Sequence, residues 1–460
     1  MKSAQINFGQ TEVLIQLPDE VEILSMKSPA VLPDPAQAIQ DALQHCIGTA
    51  SLESIIASKL QAKPDANAVI AISDNTRPVP YRGENGILRP IVDKLLGAGI
   101  PPDRIMILVA TGTHNPVPEA MLREMLDPGI FEKGITIKNH DCVDPSSLVH
   151  LGQSDRGNKM MVNRDYVRAD IKIITGLVES HFMAGASGGR KAICPGLIGE
   201  ESTFVFHGAK ILDDPFSRDL VLAGNPCHEE AVQIAEAAGC DFSVNVTLDD
   251  KCELTGVFAG DLPGPHWHAV NKIREYVMIP IQEEYDVVIS HAGFVGINHY
   301  QAAKAAVVAI PAIRRGGKMI LVANTTDVDP VGSGRYRSVL KFLKQLGPEK
   351  FRRLILSDTW EFVPDQWEVQ MWARLFAKTP AENFVFYAPQ LKIEDFSILS
   401  GVNGNIFLPR ERQYQNNLDN IPFVVEQALR KIVADLRGQG VTRPRIAFLA
   451  DGPYGIPVKV

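Results

Sequence analysis

Ala68-Val69-Ile70-Ala71-Ile72, running straight into Ser73-Asp74-Asn75-Thr76-Arg77-Pro78, is the stretch on which the fold turns. An apolar run this short, closed by a polar turn-forming segment, reads as a strand buried on both faces rather than as a helix. The same pattern recurs at 105–109, 171–175, 286–290, 318–322 and 445–449, with helix-like stretches between, among them 87–96, 229–238 and 302–310. That alternation predicts an α/β protein of two Rossmann-like domains with parallel sheets. Ligands in such sheets bind beyond the carboxyl ends of the strands, so the active site is expected in the crevice between the domains. The unusual residues follow strands as that rule requires: Asp74–Arg77 after the first, Thr111–His114 after the second, Glu179–Lys191 after the third, and His291 onward after the fourth.

Length and composition set the outer limits. At 460 residues the chain exceeds one comfortable core, so two domains are expected. The polar Gln282-Glu-Glu after Ile279-Pro280-Ile marks a boundary at 278–284. The expectation is an N-terminal domain over 1–278, rejoined by 413–460 returning from the C-terminus, and a second domain over 284–412. A net charge of −8 argues against nucleic acid or an anionic membrane as partner. There is no signal-peptide pattern at the start and no run near the roughly 20 apolar residues of a membrane span. The six cysteines form no CxxC pair, which suits a reduced, cytoplasmic setting.

The chemistry is concentrated in one glycine-rich turn, His181-Phe-Met-Ala-Gly185-Ala-Ser187-Gly188-Gly189-Arg190-Lys191, with His207 beyond it and His114 upstream in Thr111-Gly-Thr-His-Asn. The turn fails the Walker A pattern, since Arg190 stands where the second glycine is needed, and it is not GxGxxG. The residues suggest instead a loop of backbone N–H groups beside Arg190 and Lys191 that suits one phosphate. A lysine in such a turn is a candidate for covalent attachment to a cofactor. His114 and His181, each after a strand, are candidate acid/base groups. His207, alone in the apolar Phe204-Val-Phe-His207, is either a core histidine or a single metal ligand whose partners come from a cofactor. Arg77 and Lys304 can grip a carboxylate, and Tyr300 and Gln301 lie with Lys304 at the start of one helix. His266-Trp-His268 and Asn139-His140 read as packing or turn residues, and Asn225-Pro226 as a helix start.

Asp74-Asn-Thr-Arg77-Pro, Gly112-Thr-His114, His181-x3-Gly-x2-Gly-Gly-x-Lys191, His207 and Tyr300-Gln301-x2-Lys304 together resemble the nickel-dependent lactate racemase family, in order and over nearly the whole chain. The resemblance implies a nickel-pincer nucleotide, a pyridinium mononucleotide whose two sulfur-containing arms and central carbon hold Ni(II), joined through a thioamide to Lys191. His207 would complete the nickel coordination. Asp74, Ser187, Gly188, Gly189, Arg190 and Trp367 would contact the cofactor, which other proteins synthesise. His114 and His181 would be opposed acid/base groups, with Arg77, Lys304, Gln301 and Tyr300 on the substrate carboxylate. The implied reaction inverts C2 of a 2-hydroxy carboxylic acid by proton-coupled hydride transfer. Elementary chemistry favours that route over direct deprotonation: the α-C–H is too weak an acid for imidazole by on the order of 20 pKa units, at ~1.36 kcal/mol each. A positioned acid/base group supplies only about 2–4 orders of magnitude. Phe182, Met183 and the 294–297 segment suggest a small or apolar substrate side chain. A longer sugar acid, a hydroxy diacid, or a non-catalytic sensor are the alternatives.

Overall fold

Ala68–Ser73 is a strand, buried on both faces up to Ile72. The computed structural model describes residues 1–460 and divides into two units, Ser28–Glu275 and the pair Met1–Lys27 with Tyr276–Val460.

In the Ser28–Glu275 unit six strands lie in the order Leu254–Gly260, Phe242–Leu248, Ile171–Leu177, Ala68–Ser73, Ile105–Ala110, Thr136–Asn139. All neighbours are parallel except the first pair. Chain order runs outward from Ala68–Ser73 in one direction and then restarts at Ile171–Leu177 in the other. These two strands therefore flank the point where the winding reverses, the place where open α/β sheets bind ligands. Because side chains alternate across a strand, Ile70 and Ile72 face a core shared with Ile39 and Leu43 of the helix Pro35–Gln44 and with Leu88, Ile91, Val92 and Leu95 of the helix Leu88–Gly97. Val69 and Ala71 are buried on the opposite face. A strand covered on both sides has no polar positions to spare, which is why its sequence is a continuous apolar run.

The other unit repeats the plan. Its strands lie in the order Val402–Asn403, Phe384–Tyr387, Ile313–Val322, Tyr285–His291, Ile446–Leu449, Val21–Leu24, all parallel. The winding reverses between Tyr285–His291 and Ile446–Leu449. An N-terminal hairpin, Lys2–Phe8 with Thr11–Leu17, packs Ile6 and Ile15 into one core with Val424 and Ile432 of the helix Asn420–Gly438. All six cysteines are free, and no helix is long and apolar enough to cross a membrane.

The division of the chain departs from the expected one. The segment 413–460 does not return to the N-terminal domain, and residues 1–27 leave it: Ile446 pairs with Val287 on one side and with Val21 on the other. The cut falls between Glu275 and Tyr276. Backbone pairing fills the edge of the Tyr285–His291 strand, and a short apolar strand carries no mark of which sheet it will join.

Phe448 is fully buried in the strand that bridges these segments. Phe448→Ala is expected to destabilise the protein by about 3–5 kcal/mol, read as a lowered denaturant midpoint.

Candidate active site

Ile72 pairs with Val109 and Ser73 with Ala110, so the loops that leave these two strands begin side by side. That register lets Asp74 reach His114. The Asp74 carboxylate, 5% exposed, meets His114 Nδ1 at 2.6 Å and accepts from Thr76 N and Oγ1 through its other oxygen. Burial would raise the Asp74 pKa. The hydrogen bond and charge of His114, with the Thr76 donors, outweigh it and hold the carboxyl below its ordinary value. The carboxylate, and with it the stabilising link to His114, is therefore present above the ordinary Asp range and is lost only as pH falls through that depressed value. His114 donates from Nδ1, which leaves the Nε2 lone pair on a ring that is 60% exposed.

His181 is set the other way. Its short hairpin pairs His181 with Gly185, and Nδ1 accepts from Met183 N and Ala184 N, both at 3.2 Å. The neutral ring therefore carries its proton on Nε2. Gly185 has φ of +78°, and a Cβ there would lie 2.1 Å from Val221 O, so only glycine closes this turn. Hydrogen bonding thus leaves one imidazole with a free acceptor at Nε2 and the other with an N–H donor there.

Ser187, Gly188, Gly189 and Arg190, expected as an open phosphate cradle, are buried and turned inward. The Ser187 hydroxyl donates to Leu177 O and accepts from Glu179 N. Gly189 N donates to Asn245 Oδ1 at 2.7 Å. The Arg190 guanidinium donates to Gly188 O, Ala184 O and His266 Nε2. Burial foremost, then the Arg190 charge, keeps His266 well below its ordinary pKa and hence neutral, able to accept that bond. A backbone loop this deep satisfies most of its polar groups within the protein and so braces the turn, although Arg190 Nε is left without a partner.

What the brace presents is Lys191. Burial, with the nearby cations Arg77 and Arg190, pushes its amine down to about 7, so a large fraction is uncharged and nucleophilic at neutral pH. His207 caps the helix Glu200–Phe206. Burial and then the charges of Lys191 and His114 push it down to about 3, leaving a neutral imidazole suited to a metal. Arg77 Nε is 3.8 Å from a carboxylate oxygen of Glu179, two residues before His181. Electrostatic interactions thus link Asp74 to His114, His114 to His207, His207 to Lys191 and Lys191 to Arg77 beside the sheet's reversal point.

On the other unit, Tyr300, Gln301 and Lys304 stand on the first turns of the helix His299–Ala309, whose N-cap Asn298 accepts from Gln301 N. Trp367 Nε1 donates to Tyr300 Oη at 2.7 Å. Beneath them His299 stacks on Trp372 with ring centroids 4.4 Å apart, and both bond the Tyr336 hydroxyl. Burial, then the negative charges of Glu368 and Asp365, keep Tyr300 protonated well above its ordinary pKa.

Sequence reasoning missed Thr76, Glu179, Asn245 and Glu368, and assigned His266 to packing without its partner. Glu368 had a signal: a carboxylate inside Gln366-Trp-Glu-Val-Gln-Met-Trp372, a helical stretch buried on all sides. Glu179 begins the post-strand segment that the sequence singles out, without its partner Arg77; Asn245 had no signal, because only the sheet brings it to the turn.

Residues 8–218 match the lactate racemase N-terminal domain and residues 281–395 the lactate racemase C-terminal domain. The chain is 32% identical over 342 residues to the lactate racemase of Lactiplantibacillus plantarum, covering 74% of this chain and 77% of that one. It is 29% identical over 381 residues to that of Thermoanaerobacterium thermosaccharolyticum, covering 82% and 86%. Among solved structures, the lactate racemase apoprotein from T. thermosaccharolyticum superposes with a TM-score of 0.84 at 24% identity, over 99% of this chain and 100% of that one. A Thermotoga maritima protein superposes with a TM-score of 0.58 at 15% identity, over 90% and 100%. The two-unit α/β architecture is thus that of a racemase-type fold. The chain belongs to the lactate racemase family.

Asp74→Asn keeps the shape but removes the charge that orients His114. Turnover is expected to fall by roughly 10²–10⁴, the range credited to a positioned acid/base group, with unchanged circular dichroism. Gly189→Ala would set a Cβ 2.7 Å from the His266 ring at φ of +51°. It is expected to lower Tm and to disturb the presentation of Lys191, measured by amine labelling.

Proposed function

We propose that the protein is a racemase of a small 2-hydroxy carboxylic acid of the lactate type, working with a nickel-pincer nucleotide attached to Lys191. The observation that carries this reading is the convergence of an amine titrating near 7, an imidazole held neutral and an Asp-oriented histidine around one reversal point. These residues fit such a cofactor. An amine of lowered pKa is able to form a thioamide link, and the uncharged His207 is able to ligate a borderline metal. When bound, the group supplies the hydride acceptor that no side chain provides.

The rest is the work of the chain. Arg77 offers a forked cation to the substrate carboxylate, and Lys304, with Gln301 and Tyr300, is proposed as the second grip. His114 takes the hydroxyl proton at Nε2, with Asp74 stabilising the imidazolium that forms. His181 offers a hydrogen bond from its Nε2–H to the oxygen of the planar 2-oxo acid, and the proton held by His114 returns to that oxygen. For the other hand of the substrate His181 is proposed to be the base, which requires its proton to shift to Nδ1 and the Met183 and Ala184 N–H contacts there to open. Trp367, fixed by Tyr300, is proposed to contact the cofactor, which partner enzymes make.

Protein produced in a host able to synthesise the cofactor is expected to carry the corresponding added mass and nickel, and Lys191→Ala to lose both while keeping its fold. Retention of the adduct in Lys191→Ala would contradict the attachment. In the apoprotein, amine-directed labelling of Lys191 is expected to titrate with a midpoint near 7. Lactate and 2-hydroxybutyrate should be turned over in preference to malate and gluconate; the reverse order would assign a diacid or sugar acid instead.

A further inference from the structure

Glu368 stands one residue after Trp367 on the helix Gln366–Lys378, and no step above uses it. It is 3% exposed, and its Oε2 is buried without a hydrogen bond. Its helix neighbours Trp367, Val369 and Trp372 are buried apolar groups. The charges it senses are Lys304, from the helix His299–Ala309, and Asp365, from the start of its own helix. The Tyr300 and Tyr336 hydroxyls sense Glu368 in turn, and both stay protonated far above neutral pH. Lys304, one helical turn beyond Tyr300, is the cation whose charge favours the ionised form of this carboxylate.

A buried carboxyl in that position has two states. Ionised, it compensates the Lys304 ammonium and competes with any incoming anion. Protonated, it leaves the full charge of Lys304 to that anion. Two carboxylates beside one ammonium in a low-dielectric site repel each other, so the arrival of the second favours protonation of the first.

We infer that Glu368 is a positioning residue for Lys304: where it is ionised in the empty site it balances that ammonium, and it takes up one proton when a carboxylate ligand docks there. The proton comes from solvent, and the only bond formed is O–H on Glu368. Burial foremost, opposed by Lys304 and reinforced by Asp365, pushes the Glu368 carboxyl up to about 8, which puts the exchange within reach of ordinary pH. Docking is then strongest below that value and weakens as pH rises through it. The inference rests on the proposed role of Lys304 in gripping the substrate carboxylate.

The test uses holoenzyme and lactate. For one group titrating near 8, KM is expected to rise roughly tenfold between pH 7 and pH 9, and Glu368→Gln to flatten that rise. Calorimetry of lactate binding at pH 9, in buffers of different ionisation enthalpy, should show uptake of close to one proton in the wild type and none in Glu368→Gln. A KM that rises equally in both proteins, or wild-type binding without proton uptake, overturns the inference while leaving the racemase reading intact. Absence of any lactate turnover or binding strikes at the racemase reading instead. A further measurement needs neither ligand nor a folded variant. Infrared difference spectra of the wild type between pH 6 and pH 10, with 13C-labelled glutamate, should lose one buried protonated carboxyl band with a midpoint near 8. No such band overturns the proposal outright.

Discussion

A parallel sheet leaves its strand ends open wherever the winding reverses, because the crossover helices on either side depart in opposite directions. Both sheets of this protein have such a point, one between Ala68–Ser73 and Ile171–Leu177, the other between Tyr285–His291 and Ile446–Leu449. Almost everything chemical about the chain follows from that constraint. The loops that start at the first reversal carry Asp74, Arg77, His181 and Lys191, and the neighbouring strand adds His114. The helix that starts at the second carries Tyr300, Gln301 and Lys304. Rigid strands fix where these loops begin, and the register of Ser73 with Ala110 is what puts Asp74 within 2.6 Å of His114.

Burial then tunes the groups that the strands have positioned. A charged amine, imidazolium or carboxylate surrounded by protein loses hydration, so each moves toward its neutral form. Lys191 becomes a nucleophile near neutral pH, His207 a neutral ligand, and Glu368 a carboxyl that holds its proton unusually well. Asp74 is the exception, and the reason is local: three donors, from His114 and Thr76, stabilise its charged form more than burial penalises it. The same site thus contains neutralised cations and a retained anion, which a chain of ordinary overall composition gives no hint of.

The correction at the glycine-rich turn has the same origin. Ser187, Gly188, Gly189 and Arg190 look like a phosphate loop when read as a string, since small residues beside two cations are what such a loop requires. In the folded protein the turn is pressed against Asn245 and His266, from a strand and a helix more than fifty residues away. Gly189 N and the Arg190 guanidinium bond there, and the glycines are needed because any Cβ at 188 or 189 would overlap Val178 or His266. The motif is a mould for Lys191.

The apolar runs, their spacing and the polar segments after them were enough to determine an α/β protein with parallel sheets, and to pick out His114, His181, Lys191, His207 and the Tyr300–Lys304 face. These are local properties: strand burial shows as continuous hydrophobicity, and a loop that does chemistry shows as unusual residues after a strand. Which sheet each strand joins was decided only in three dimensions, so 1–27 and 413–460 changed sides, because backbone pairing is blind to side-chain identity along a short apolar strand. The protonation states were likewise decided there. A pKa depends on what surrounds a group in space, and the neighbours of Lys191, His207, Asp74 and Glu368 come from segments far apart along the chain.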